Sequence, residues 1–223
     1  MDVNPEDVLR WAHIVSMVYW LGGEWGVFQT AYHVTDLRLS LDERRRHMET
    51  AFRIDILART GIILLLPLGL HMGYNLGVHP WGGDFLVAVW IGAAAWLALC
   101  WAAFLTRDTD RGLTLTVWDE RIRFVLIPVL LGVAGTSLLT GGPLTARWYA
   151  AKVFIYALML IIGLILRFIM RHWVTIFREI AAGGPAAALE ERLTSEIGIA
   201  RGFAYVYWVG IATVAFLGAT KPF

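Results

Sequence analysis

Five ionisable positions stand inside otherwise apolar runs of this chain: His13, Glu24, the Asp55/Arg59 pair, His71 and Lys152. Ionisable groups are costly in a bilayer, so each is a candidate for function. A neutral imidazole is a common axial ligand of haem iron. An amine or a carboxyl can move a proton, which makes Lys152 and Glu24 the candidate catalytic groups. His13, Met17, Trp20 and Glu24 follow one another at spacings that set them on one stripe of a helix. Asp55 and Arg59 are an i, i+4 couple that can pair with each other. Each group also has a plainer reading. A histidine near an interface makes ordinary hydrogen bonds, a lysine snorkels outward, Asp55/Arg59 is a structural pair, and Glu24 makes a packing hydrogen bond.

The elements that must position these groups follow from composition. The chain has 223 residues, of which 58% are hydrophobic and 17% charged; a soluble domain carries about a quarter charged. It has 11 Trp, a residue that favours membrane–water interfaces. Six segments approach the roughly 20 residues that cross a hydrocarbon core: 8–30, 54–74, 85–105, 124–141, 148–170 and 203–220. Lipid satisfies no open backbone group, so these must be helices. The expected fold is all-α, a polytopic integral membrane bundle of about six transmembrane helices forming one domain over residues 1–223. Gly-Pro and Gly-Gly pairs punctuate it, and 183–198 reads as a short surface helix.

Arginines set the expected orientation. Arg38, Arg44, Arg45, Arg46 and Arg53 follow the first span; Arg107, Arg111, Arg121 and Arg123 the third; Arg171, Arg178, Arg192 and Arg201 the fifth. Both termini are therefore expected to be extracytoplasmic, in a bacterial inner (cytoplasmic) membrane. Cys100 is the single cysteine, which excludes an intramolecular disulfide and a cysteine metal cluster. No basic tail points to nucleic acid, and no Walker, dinucleotide or zinc-protease motif occurs.

In that orientation His13, His71 and Lys152 all fall about one turn inside the same surface. Two imidazoles at one depth on neighbouring helices suit a haem iron, with His13 and His71 as its ligands. Lys152 then meets a porphyrin propionate or transfers a proton, and Trp20 lies on the His13 stripe beside the cofactor. Imidazole with thioether, from His13 with Met17 and His71 with Met72, suits copper(I) as the alternative. His33, His47, His79 and His172 fall at or beyond helix ends and read as interfacial.

Several of these residues resemble a known family. The stretch from Trp11-Ala12-His13 to Trp20-Leu21-Gly22-Gly23 resembles the first helix of the HemJ-type protoporphyrinogen IX oxidases. Trp148-Tyr149-Ala150-Ala151-Lys152 is similar to their lysine helix, Lys221-Pro222-Phe223 to their ending, and Gly69-Leu70-His71 falls where their second helix ends. The group belongs with CopD-like and other small haem-associated membrane proteins. The resemblance covers the first, second, fifth and sixth spans. It implies haem b bound in the bundle, oxidation of protoporphyrinogen IX to protoporphyrin IX, His13 and His71 as haem or active-site histidines, and Lys152 as the functional lysine. Two other functions remain open at this point: a non-catalytic haem-binding subunit that anchors or wires a larger redox complex, and a CopD-like copper-handling protein. The expected partners are the lipid bilayer, a porphyrin or quinone-type small molecule, and a second copy of the chain or a membrane redox complex, with no nucleic acid.

Overall fold

The structure, a computed structural model, describes residues 4–183 and 186–223. Six helices make it up: α1 (Pro5–Val34), α2 (Leu41–Asn75), α3 (Asp84–Leu105), α4 (Asp110–Thr140), α5 (Arg147–Ala181) and α6 (Ala186–Thr220). Helices α2 to α6 are long and apolar enough to cross a membrane. Helix α1, read from sequence as the first span, falls short of that apolarity. Its Ser16, Glu24 and Gln29, with its glycines and indoles, dilute the aliphatic content.

Local chemistry fixes the helix ends. The Asn4 side chain accepts from the Glu6 N–H ahead of Pro5, whose fixed φ suits a first turn. Ser40 and Glu43 cap α2 reciprocally, each side chain taking the other's backbone N–H. Thr109 caps α4, which ends on Gly141 at φ 81°, a left-handed position suited to glycine.

Four helices outrun the spans read from hydropathy. Helix α2 begins at Leu41 rather than 54, α4 at Asp110 rather than 124 and α6 at Ala186 rather than 203, while α5 continues to Ala181 rather than 170. The charged turns stay helical because ion pairs tie them to neighbours. Arg44 grips Glu190 through two hydrogen bonds of 2.7 and 2.6 Å and donates to the Val34 carbonyl at 2.8 Å. Arg107 pairs with Glu49, and Arg171 with Glu120. The separate surface helix expected over 183–198 is not formed. From Ala186 onward that stretch is the opening of α6, because Leu189, Leu193 and Ile197 bury in the cluster that α5 and α1 help to form; Gly184 and Pro185 lie outside the described residues.

Consecutive helices pack in order, and α6 returns to α1. Both chain ends thus lie at one end of the bundle (the terminal end), and the Arg44–Glu190 pair lies at the other (the arginine-rich end). Helix α1 runs closely along α2. Gly61 makes this approach feasible: a Cβ there would strike the Ser16 carbonyl oxygen and lie 2.9 Å from the Trp20 nitrogen. Gly23 does the same against Ala58 further along the seam. The core falls in three layers. One surrounds Tyr149 and Leu144 at the terminal end, one surrounds Trp20, Tyr156 and Ile63, and one surrounds Trp173, Phe177 and Leu193 at the arginine-rich end. Large apolar side chains, Ile91, Val125, Leu139 and Val209 among them, point outward, as a face in contact with lipid requires.

Candidate functional site

Helices α1, α2, α5 and α6, with Leu130 of α4, line a partly open chamber of about 620 Å³ at the terminal end. Small-molecule sites span about 300–1,000 Å³. Aliphatic side chains, Leu65, Val153 and Ile211 among them, make most of its wall. Its cations are Lys152, Arg10 and Lys221; Glu6 adds a carboxylate, and the exposed Arg10 lies 3.7 Å from Asp7.

His13 reaches the wall from the polar stripe of α1, and Lys152 from the second turn of α5. Lys152 Nζ lies 3.4 Å from His13 Nε2. Gly218 leaves room for the amine, and Gly69 lies in ordinary contact distance of the imidazole. A Cβ on Gly218 would lie 2.6 Å from Lys152 Nζ, and one on Gly69 would lie 3.6 Å from His13 Cε1. His13 Nδ1 is buried with no hydrogen-bond partner among the described residues. Tyr149, also on the wall, donates its hydroxyl to the Gly69 carbonyl at 3.0 Å. Met17 and Met72 bring thioethers to the same chamber.

Trp20 lies at the deep end of the chamber and is 1% exposed. Its indole N–H donates to the Tyr207 hydroxyl at 3.0 Å. The Trp20 ring meets Tyr207 and Tyr156 edge-on at 5.7 and 6.1 Å, and Tyr156 donates to the Ile62 carbonyl at 2.7 Å. These bonds hold a rigid aromatic floor.

His71 shares the level of His13 but not its site. It does not line the chamber. Its Nδ1 accepts from the Trp90 indole at 3.3 Å, on the side of α2 that faces α3. The expected meeting of His13 and His71 across one iron is therefore not formed, because one turn of α2 near the chamber points Gly69 and Leu70 inward and His71 away.

Glu24 lies elsewhere too. It lines a separate, small cleft of about 60 Å³ with Asp55, Arg59, Arg123, Arg167 and Tyr207. Asp55 and Arg59 pair, as their spacing predicts. Beside them Asp119 pairs with Arg167, lies 3.7 Å from Arg123 and accepts from the Trp96 indole at 2.6 Å. Hydropathy alone sets Asp119 and Arg123 between the third and fourth spans. Their i, i+4 spacing, the same that flags Asp55/Arg59, is the signal that could have found them.

His79, read as interfacial, is a buried staple of the α2–α3 connection. Its Nε2–H donates to the Leu70 carbonyl at 2.9 Å, and its Nδ1 accepts from the Trp81 N–H at 3.3 Å. Burial pushes its pKa below the ordinary histidine value, against the smaller opposing effect of the Leu70 bond. His33 and His47 stack at 4.5 Å at the arginine-rich end, where His172 lies 3.6 Å from Glu196.

Among the described residues no group of three or more His, Cys, Asp or Glu is arranged to hold a metal ion. A haem iron needs fewer protein ligands, since the macrocycle supplies four of its bonds. No family model matches the chain, and neither a curated protein nor a solved structure matches it.

Proposed function

We propose that this chain is an integral membrane redox protein that holds haem b in the terminal-end chamber. The observation that carries this reading is the meeting of His13 and Lys152 on the wall of an otherwise apolar chamber, with one ring nitrogen of His13 unpartnered. The donor set fits such a group. A porphyrin is a broad apolar ring with carboxylates at one edge, and the chamber joins aliphatic walls to three cations. His13 would hold the iron. Lys152, Arg10 and Lys221 would hold the propionates, and Trp20 would close the floor. Haem in such a site supplies one-electron chemistry. Lys152 beside His13 can also hand over a proton, so oxidation of protoporphyrinogen IX is the activity to assay first. His71, engaged by Trp90, has no ligand role in this reading.

The finer topology belongs to the same proposal. All six helices span the bacterial inner membrane, α1 sheltered against α2, with both termini outside. The arginines gathered at one end of the bundle support it. Met17 and Met72 beside His13 favour copper(I) as the second reading.

Absorption spectra of detergent-purified protein, oxidised and reduced, test the proposal. The wild type is expected to show a Soret band and a sharpened α-band on reduction. His13→Ala should lose most of the haem, Lys152→Met should retain much less than wild type, and His71→Ala should retain it. Full haem with an unchanged spectrum in His13→Ala overturns the ligand assignment. Stoichiometric copper without a Soret band selects the second reading, and haem without porphyrinogen turnover selects a non-catalytic subunit.

A further inference from the structure

The cleft that holds Glu24 is separate from the chamber and is lined by no described residue of α3. Of the carboxylates around it, Asp55 is committed to Arg59, and Asp119 to Arg167 and the Trp96 indole. Glu24 makes no hydrogen bond or ion pair with any described residue, although its carboxyl lies among charged neighbours. Those that face it are Asp55 and Arg59 from α2, Arg123 from α4, Arg167 from α5, and Arg201 and Tyr207 from α6. Arg123 and Arg167 are buried, and each has guanidinium nitrogens without a partner among the described residues: Nε and Nη2 of Arg123, Nη2 of Arg167. Buried donors of this kind require an acceptor. The space of about 60 Å³ exceeds the ~10–15 Å³ that one water needs, and the guanidiniums and the Glu24 carboxyl give such a water its polar partners. A water in that space would accept from the guanidiniums and donate to Glu24, satisfying both sides.

The cleft runs from Glu24 and Tyr207 past Arg201 to Ala31 and Ile197, towards the arginine-rich end. Arg201 stands over the Tyr32 ring, 4.0 Å from its centre. In the other direction the way is shut. Tyr207 lines the cleft and not the chamber, Trp20 lines the chamber and not the cleft, and a hydrogen bond joins them. An indole donates its one N–H and accepts nothing in return, so it passes no proton onward.

We propose that Glu24 is a proton-exchange site, reached by water from the arginine-rich end and insulated from the His13 chamber by the Trp20–Tyr207 pair. In the exchange the carboxylate takes a proton from a hydronium in the cleft and leaves a water; the reverse step returns it. The exchange is independent of what the chamber binds.

Infrared spectroscopy of the purified protein tests this. Titration between about pH 5 and pH 9, a range open to a buried carboxyl, should change one protonated-carboxyl C=O band. The band should move in deuterated water and vanish in Glu24→Gln. Glu24→Asp keeps the acid and should show the band displaced, which covers the case where the glutamine variant fails to fold. In oriented vesicles a pH jump on the arginine-rich side should drive the change, and a jump on the terminal side should not. A band absent from wild type, retained in Glu24→Gln, insensitive to deuterium or driven from the terminal side overturns the proposal.

Discussion

His13 and Lys152 are 139 positions apart and meet on the wall of one chamber. Gly218 is the residue whose missing side chain leaves space for the amine, while Gly69 stands within ordinary contact of the imidazole. Single residues also decide how the α2–α3 connection responds to acid. His79 is held as the neutral Nε2–H form by one donated and one accepted bond, and its folded pKa lies below the ordinary value. Below about pH 6.5, where an unfolded histidine gains its proton, the unfolded chain binds more protons at this position than the folded chain. Stability is therefore lost as pH falls through that range, by at most about 1.4 kcal/mol per pH unit. The stability difference between wild type and His79→Gln, read from thermal midpoints in detergent, is expected to shrink from pH 7.5 to about pH 5.5. A difference that does not change with pH would mean that His79 gains its proton over the same pH range in both states.

Helices in this bundle are matched through their smallest residues and their charged turns. Gly61 lies so close to the Ser16–Trp20 turn of α1 that a single methyl has to push two backbones apart. Gly61→Ala is expected to destabilise by about 1–3 kcal/mol, the usual cost of overpacking. A Cβ on Gly22 would meet nothing within 4 Å, so Gly22→Ala should be neutral or stabilise by up to ~1 kcal/mol through helix propensity. Denaturant midpoints of the two variants against wild type check this pair, and equal effects would show that the α1–α2 seam is looser than described. The extended ends of α2, α4, α5 and α6 rest on a different device. Arg44 is buried and meets the Glu190 carboxylate with both terminal nitrogens, which lets polar turns pack as firmly as apolar ones.

For the whole molecule, six helices place the termini together and gather most of the arginines towards the other end. If all six cross the membrane, a reporter fused after Phe223 works only where it functions outside the cytoplasm. Should α1 instead come away from the bundle and not cross, the N-terminus and the C-terminus will report from opposite sides. Fusions at both ends distinguish the two arrangements. The same architecture divides the interior along its length, with an apolar chamber at the terminal end and a charged cleft beyond the Trp20–Tyr207 floor.

The sequence by itself determined that the chain is a set of long apolar helices, because apolar runs are a local signal. It also determined the Asp55/Arg59 pair, whose partners share one helix. Tertiary structure alone decided where the charged turns ended up. A hydropathy window counts Arg44, Asp119 or Arg123 as a cost, since the Glu190 and Arg167 that offset that cost belong to other helices. Facing was likewise beyond sequence. Equal depth along the membrane normal put His13, His71 and Lys152 together, but rotation about each helix axis is set by packing. That rotation brought Lys152 to His13, handed His71 to Trp90, and turned Glu24 into a cleft of its own.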